Sequence, residues 1–293
     1  MTEVKITVSE EFEKRRSIWW CLSLFWHVVA YCVFNSVAFY SFYLWHQLII
    51  RTDITDDRVV TARWFTPCYL TNWNFLFQTV FLTMSLVYDI MEWLERHESP
   101  LGRKLKYIRD VMFKGLVVPL TLFITTMFWT VYWIDRELVF PQVYDQLVPW
   151  WFNHCVHTNI TIVVLVETVL LARRHPTNFK QELWLIGGTG VLYAIVYYSI
   201  YFFSHRWLYG VFGIMTWWQV CLYQILIWTS TFVFYFIQFP VNRLFHREAP
   251  TEQKEIQETK TGIQNGAYSE ESSGIPESLL KNRSKNQVEN SSF

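Results

Sequence analysis

The stretch YLTNWNFLFQTVFLTMSLVYDIMEWL (residues 69–94) is long and apolar enough to cross a membrane, yet polar side chains recur along it. Thr71, Asn74, Gln78, Ser85 and Asp89 follow a helical period, which places them on one face of a helix. Polar groups avoid lipid, so this face is predicted to point into a helical bundle. There it would either form interhelical hydrogen bonds or line a polar pathway or active site.

Five other tracts of the chain have the same apolar character. Of the 293 residues, 52% are hydrophobic and only 17% are charged, against about 25% charged in ordinary soluble domains. Each tract reaches roughly the twenty residues that a transmembrane helix needs. The sequence therefore predicts an all-α integral membrane protein, a bundle of six transmembrane helices over residues 18–48, 69–94, 111–134, 148–171, 183–203 and 211–239.

Basic residues are distributed unequally between the two sides of the predicted bundle. The N-terminus, the even-numbered loops and the start of the tail hold fourteen Lys and Arg residues, and the odd-numbered loops hold five. By the positive-inside rule, both termini are expected to be cytosolic, in the plasma membrane or an endomembrane. The chain then divides into a cytosolic N-terminus (1–17), a transmembrane domain (18–244) and a polar tail (245–293) that is expected to be disordered. Its two sequons, at Asn282 and Asn290, are expected to stay unglycosylated.

Several functional classes are disfavoured by composition. The five cysteines are scattered and form no CxxC motif, so neither a disulfide framework nor a zinc knuckle is predicted. The net charge is zero, which argues against a nucleic-acid partner. The first apolar tract is too long for a signal peptide, and no cleavable signal is expected.

A second polar face occurs in VPWWFNHCVHTNIT (residues 148–161), at the start of the fourth tract. Asn153 and His157 are one helical turn apart on this face, and His154 lies a turn before His157. The second and fourth spans enter from the same side of the membrane. Thr71 and His157 are therefore expected at similar depth in the membrane. The shared direction of the two spans does not show whether the two side chains touch.

Thr71 and His157 could form a minimal nucleophile–base pair. A threonine hydroxyl is a weak nucleophile unless a base takes its proton, and an imidazole suits that task. Asn153 could orient the ring, and Asn72 or Asn74 could stabilise an oxyanion. The alternatives stay open: Thr71 is also a favourable helix N-cap, and His157 could be a structural histidine.

Three other sets of polar residues have more than one interpretation. His154 and His157 could bind a metal ion together with a third ligand such as His27, His46 or His205. Glu167 lies deep in the fourth span and must be paired or protonated. Arg136, in the sequence DRE at the outer end of the third span, is either a solvated loop residue or a ligand for a substrate carboxylate.

Four motifs, in order and on matching spans, resemble the family of the androgen-induced gene protein and the androgen-dependent TFPI-regulating protein. They are YLTNWNFLFQ (69–78), FWTVYWIDRELVFP (128–141), WFNHCVHT (151–158) and, more loosely, RWLYG (206–210). The resemblance covers residues 69–244. It departs from the family pattern at Asn74, where the family carries Asp, and at Gly210, where Pro is usual.

The resemblance implies an intramembrane threonine hydrolase that acts on fatty acid esters of hydroxy fatty acids. It implies Thr71 as the nucleophile, His157 rather than His154 as the base, and no metal or other cofactor. The expected partners are a lipid substrate and the bilayer, with protein partners left open. Rolling-stone-like membrane proteins have similar span patterns. They supply the alternative of a non-catalytic multi-pass protein in cell adhesion or fusion.

Overall fold

The fold is a helical bundle. The computed structural model describes residues 2–173 and 179–246, with side chains from Ile18 onward, and no strand occurs in that part of the chain. Most of the predicted tail lies outside the described residues. The α-helices are α1 (Thr2–Ile50), α2 (Asp57–Phe65), α3 (Leu70–Trp93), α4 (Pro100–Met112), α5 (Val118–Ile134), α6 (Trp150–His157), α7 (Asn159–Leu170), α8 (Lys180–Ser204), α9 (Gly210–Gly213) and α10 (Trp217–Phe245).

Five of the six predicted spans are helices long and apolar enough to cross a membrane, within the part of the chain that the structure describes. The fourth predicted span is interrupted and forms the two shorter helices α6 and α7. The interruption is at Thr158, where φ is −116° and ψ is −54°. Its hydroxyl accepts a hydrogen bond from Trp129 Nε1 at 3.1 Å, which holds the break against α5.

Two helices extend beyond their predicted spans. Helix α1 begins at Thr2 instead of residue 18, and α4 continues into α5 through a π-helical turn, Phe113–Val117. Pro119 has no N–H to donate to the carbonyl four residues earlier, at Gly115, and such a gap favours a widened turn. Gly115 also permits close packing of α8, because a Cβ there would lie 3.2 Å from the Cα of Glu182.

The polar face of α3 points into the bundle, as predicted. Asn74, Gln78 and Ser85 are fully buried and Asp89 is nearly so. Thr121 of α5 donates to Asn74 Oδ1 at 3.2 Å, and Gln78 Nε2 donates to the Thr121 hydroxyl at 2.5 Å. These bonds join α3 to α5, as interhelical hydrogen bonds do in membrane bundles.

A buried ion cluster joins α1, α3 and α7. His27 contacts Asp89 at 2.5 Å and Glu167 at 2.8 Å, and Arg173 contacts the other oxygen of Glu167 at 2.7 Å. Trp26 Nε1 also donates to Glu167 at 3.0 Å. Of the two alternatives for Glu167, paired or protonated, the structure therefore supports pairing inside the bundle.

The opposite end of the bundle carries α2 and the segments 135–149 and 205–216, and we call it the loop face. Its ion pairs join Arg58 to Glu137 at 2.6 Å and Arg206 to Asp57 at 2.9 Å. Gly210 packs closely here, since a Cβ at this position would lie 3.1 Å from the carbonyl oxygen of Leu138. The loop face is thus a connected layer over the ends of the spans, and α3 begins beneath it.

Candidate active site

Thr71 lies in the first turn of α3 but does not cap it. The helix begins at Leu70, and its N-cap residue is Tyr69. The Thr71 hydroxyl lies 3.3 Å from Nε2 of His157. The capping interpretation is therefore wrong, because the hydroxyl contacts an imidazole on another helix and the cap position belongs to another residue.

His157 is held by the turn of α6 that precedes it. Its Nδ1 lies 2.8 Å from Oδ1 of Asn153 and 3.1 Å from the backbone carbonyl oxygen of the same residue. A carbonyl oxygen can only accept, so Nδ1 carries the proton. In the neutral ring Nε2 is then the unprotonated nitrogen, and it faces the hydroxyl of Thr71.

Phe128 of α5 fixes the plane of the imidazole. The two rings stack with centroids 3.6 Å apart and planes 11° from parallel. Together with the two oxygens of Asn153, this contact restrains both the position and the rotation of His157. The sequence analysis assigned Phe128 no role in the site, although this residue begins the motif FWTVYWIDRELVFP, because an aromatic residue in an apolar span is ordinary.

Thr71 and His157 open on a cavity of about 310 Å³. Its walls come from α1, α2, α3, α5, α6, α8, α10 and both loop-face segments, and most of the lining residues are apolar. Asn72, Asn153, Tyr193 and Tyr209 are among its polar residues. A largely apolar cavity with a few convergent polar groups is the form that small-molecule sites take.

The two predicted oxyanion-binding amides differ in their surroundings. Asn72 Nδ2 donates to the carbonyl oxygen of Thr66 at 2.6 Å. Asn74 is fully buried against Thr121 and does not line the cavity, and its Nδ2 has no partner among the described residues. Asn74 is therefore not placed to bind a group in the cavity, whereas Asn72 lines the cavity with its amide nitrogen already bonded to Thr66.

His154 and Arg136 lie outside the cavity lining. His154 Nδ1 is 3.2 Å from the hydroxyl of Thr158, and its ring stacks on Trp129. Arg136 pairs with Asp145 at 2.7 Å. This ion pair and the carbonyl of Phe140 engage the guanidinium on the loop face, in agreement with the loop interpretation of the DRE sequence.

The histidines considered as metal ligands are spread over the molecule. His27, one predicted third ligand, belongs to the ion cluster with Asp89 and Glu167. Within the described ranges, no group of three or more His, Cys, Asp or Glu side chains is arranged to hold a metal ion.

Two tyrosines close the end of the cavity near Thr71, and the sequence analysis did not assign them. Tyr193 of α8 and Tyr209 of the segment 205–216 lie with their hydroxyl oxygens 2.6 Å apart. Each oxygen accepts from the backbone N–H of Leu70 at 3.0 Å. Tyr209 lies within the RWLYG motif, and this motif was the sequence feature that could have pointed to a role for Tyr209.

The fold and this site define a multi-span helical membrane protein with a threonine–histidine–asparagine cluster on an apolar cavity. Comparison with known proteins agrees with the assignment to a multi-span membrane protein. The sequence model of the family described as FAR-17a/AIG1-like protein matches residues 22–243, and the chain belongs to that family. No solved structure matches the chain.

Curated relatives carry two different names. The androgen-dependent TFPI-regulating protein of Mesocricetus auratus is 35% identical over 163 residues, which is 52% of this chain and 68% of the relative. The protein of that name from Homo sapiens is 31% identical over 189 residues, 62% of this chain and 78% of the relative. The androgen-induced gene 1 protein of Homo sapiens is 28% identical over 146 residues, 48% of this chain and 61% of the relative.

Proposed function

We propose that this protein is an intramembrane threonine hydrolase that cleaves ester bonds in lipids such as fatty acid esters of hydroxy fatty acids. The observation that carries the proposal is the contact of 3.3 Å between Thr71 Oγ1 and His157 Nε2 at the cavity wall. Nucleophile–base contacts of this length are common without substrate and tighten when substrate binds. The apolar lining supports a substrate with acyl chains.

The first half of the reaction transfers an acyl group to the enzyme. Thr71 Oγ1 bonds to the ester carbonyl carbon while its proton passes to Nε2 of His157. The C–O bond to the hydroxy fatty acid then breaks, and His157 returns the proton to the departing oxygen. Asn153 holds the proton on Nδ1 throughout, which stabilises the imidazolium formed between the two transfers.

The second half releases the acyl group from Thr71. His157 takes a proton from water, the water oxygen bonds to the acyl carbon, and the C–O bond to Thr71 breaks. Return of the proton to Thr71 restores the enzyme and frees the second fatty acid. A site beneath the loop face suits these steps, since water can reach it from one side while acyl chains stay among the spans.

The test is hydrolysis of an ester lipid and labelling by a fluorophosphonate probe, both with purified protein. Thr71→Ala and His157→Ala should each reduce both to background, and the double variant should be no worse, because the pair acts as one unit. Thr71→Ser keeps a hydroxyl and should retain part of the rate. Thr83→Ala is the matched control, since Thr83 is exposed on the same helix and bonds only to the carbonyl of Thr79.

Thermal unfolding of each variant distinguishes a loss of catalytic activity from a loss of folded protein. A folded Thr71→Ala protein that still hydrolyses the lipid would end the proposal. Absence of labelling and hydrolysis in the wild-type protein would favour the non-catalytic alternative.

A further inference from the structure

The hydroxyl groups of Tyr193 and Tyr209 meet at the first turn of α3, one residue before Thr71. Both oxygens accept from the N–H of Leu70 at 3.0 Å, and they lie 2.6 Å from each other. Both tyrosines line the cavity on which Thr71 and His157 open. In the sequence, Tyr193 lies 123 residues after Leu70 and Tyr209 lies 139 residues after it.

The hydrogens of this pair can be counted. Two hydroxyls supply two hydrogens, and the contact of 2.6 Å between the oxygens uses one of them. The N–H of Leu70 occupies lone pairs and takes no hydrogen. The remaining hydroxyl hydrogen has no acceptor among the described residues. Burial raises the pKa of Tyr209 to about 12, so this phenol stays protonated at neutral pH.

Building on the hydrolase function proposed above, we propose that Tyr193 and Tyr209 donate this hydrogen to the carbonyl oxygen of the substrate and stabilise the oxyanion. When Thr71 Oγ1 bonds to the carbonyl carbon, the carbonyl π electrons move to the oxygen, which becomes an alkoxide until the leaving group departs. Donors preorganised at that oxygen lower the barrier, because negative charge develops there only in the transition state.

Two features of the surroundings strengthen this assignment. The contact between the hydroxyls polarises the donating O–H, since hydrogen bonds in series reinforce one another. The N-terminal end of α3 also carries partial positive charge, which favours an anion beside its first turn. The other candidate donors, the amides of Asn72 and Asn74, are bonded to Thr66 or buried away from the cavity.

The experiment compares Tyr193→Phe, Tyr209→Phe and the double variant in steady-state hydrolysis. The double variant should lose about 10²–10³-fold in kcat with little change in KM, as expected for a donor that acts in the transition state. The single variant that removes the hydroxyl facing the substrate should lose at least about tenfold, and the other should lose less. Tyr198→Phe is the matched control, because Tyr198 lies on the same helix outside the cavity lining.

A second readout excludes a purely structural role. A lipid trifluoromethyl ketone forms an alkoxide adduct with a nucleophilic hydroxyl, whereas the matching lipid ether binds without charge. The double variant should bind the ketone more weakly by a factor similar to its loss in kcat. Its affinity for the ether should match that of the wild-type protein.

The outcomes for the tyrosines and for Thr71 are separable. A folded double variant with wild-type kcat and ketone affinity would overturn the tyrosine assignment, while an inert Thr71→Ala would leave the hydrolase function standing. An active Thr71→Ala would remove the hydrolase function itself. If the double variant does not fold, the single variants decide, since each leaves one acceptor for Leu70, and wild-type kcat in both would contradict the assignment.

Discussion

At the scale of residues, Asn153 supplies two acceptors to one nitrogen of His157. The backbone carbonyl and the side-chain oxygen both lie within 3.1 Å of Nδ1. The carbonyl alone specifies the tautomer, because no substitution of the side chain removes it. The side chain adds a second restraint on the ring, and the stacked Phe128 adds a third.

Because the backbone carbonyl of residue 153 remains after substitution, we expect Asn153→Ala to lose only part of the hydrolytic activity. The tautomer should persist, while the weaker restraint on the ring should reduce kcat by about tenfold, much less than loss of the base itself. Asn159→Ala is the control, since Asn159 is exposed and its amide contacts only Cys155 Sγ at 3.7 Å. The measurement is hydrolysis under saturating substrate. A loss in Asn153→Ala as large as that in His157→Ala would assign Asn153 more than a positioning role.

At the scale of elements, α1, α3 and α7 are joined by charges as well as by apolar packing. Phe34 and Phe75 stack with centroids 4.6 Å apart near the loop face. The cluster of His27, Asp89 and Glu167 joins the same helices further along the bundle. Removing one partner from such a cluster leaves the others buried and uncompensated, which is costly.

Glu167→Gln should therefore destabilise the protein by about 3–5 kcal/mol, since His27 and Arg173 would lose the carboxylate between them. Asp53→Asn breaks the pair of Arg51 and Asp53, whose side chains are 51% and 63% exposed, and should leave the unfolding temperature nearly unchanged because solvent screens the pair. Thermal unfolding in detergent, followed by tryptophan fluorescence, measures both. Equal unfolding temperatures for the two variants would show that the cluster does not stabilise the bundle.

At the scale of the whole molecule, the candidate site belongs to several helices at once. Thr71 comes from α3, His157 from α6, Phe128 from α5 and the tyrosine pair from α8 and the segment 205–216. The loop face covers these parts and connects them through ion pairs such as Arg58–Glu137. The side of the membrane on which the loop face lies therefore decides from which side water reaches the cavity.

The distribution of basic residues predicts that the loop face is lumenal or exterior and that the tail is cytosolic. Asn282 and Asn290 should then carry no glycan, so treatment with a glycosidase should leave the electrophoretic mobility unchanged. An epitope at the C-terminus should become accessible once the plasma membrane alone is permeabilised. Glycosylation at either asparagine would reverse the orientation and place Thr71 at the cytosolic face.

The class of fold and the inward face of each polar helix follow from the amino-acid sequence. A run of about twenty apolar residues can satisfy its backbone in lipid only as a helix, so the spans follow from composition and length. The buried positions of Asn74, Gln78 and Asp89 follow from periodicity, since lipid cannot accept them. For the same reason Glu167 had to be either paired or protonated, although the sequence did not decide between the two and did not name His27 or Arg173.

The tertiary structure alone decided what each polar group touches. Periodicity gives the direction in which Thr71 points but not its partner, which depends on how α3 packs against α6. The break at Thr158 was not predictable from hydropathy, because hydropathy reports how apolar a tract is and not where its backbone leaves the helical conformation. Tyr193 and Tyr209 meet at Leu70 only after the chain has folded. Contacts between distant parts of a chain depend on packing geometry, and local sequence does not encode that geometry.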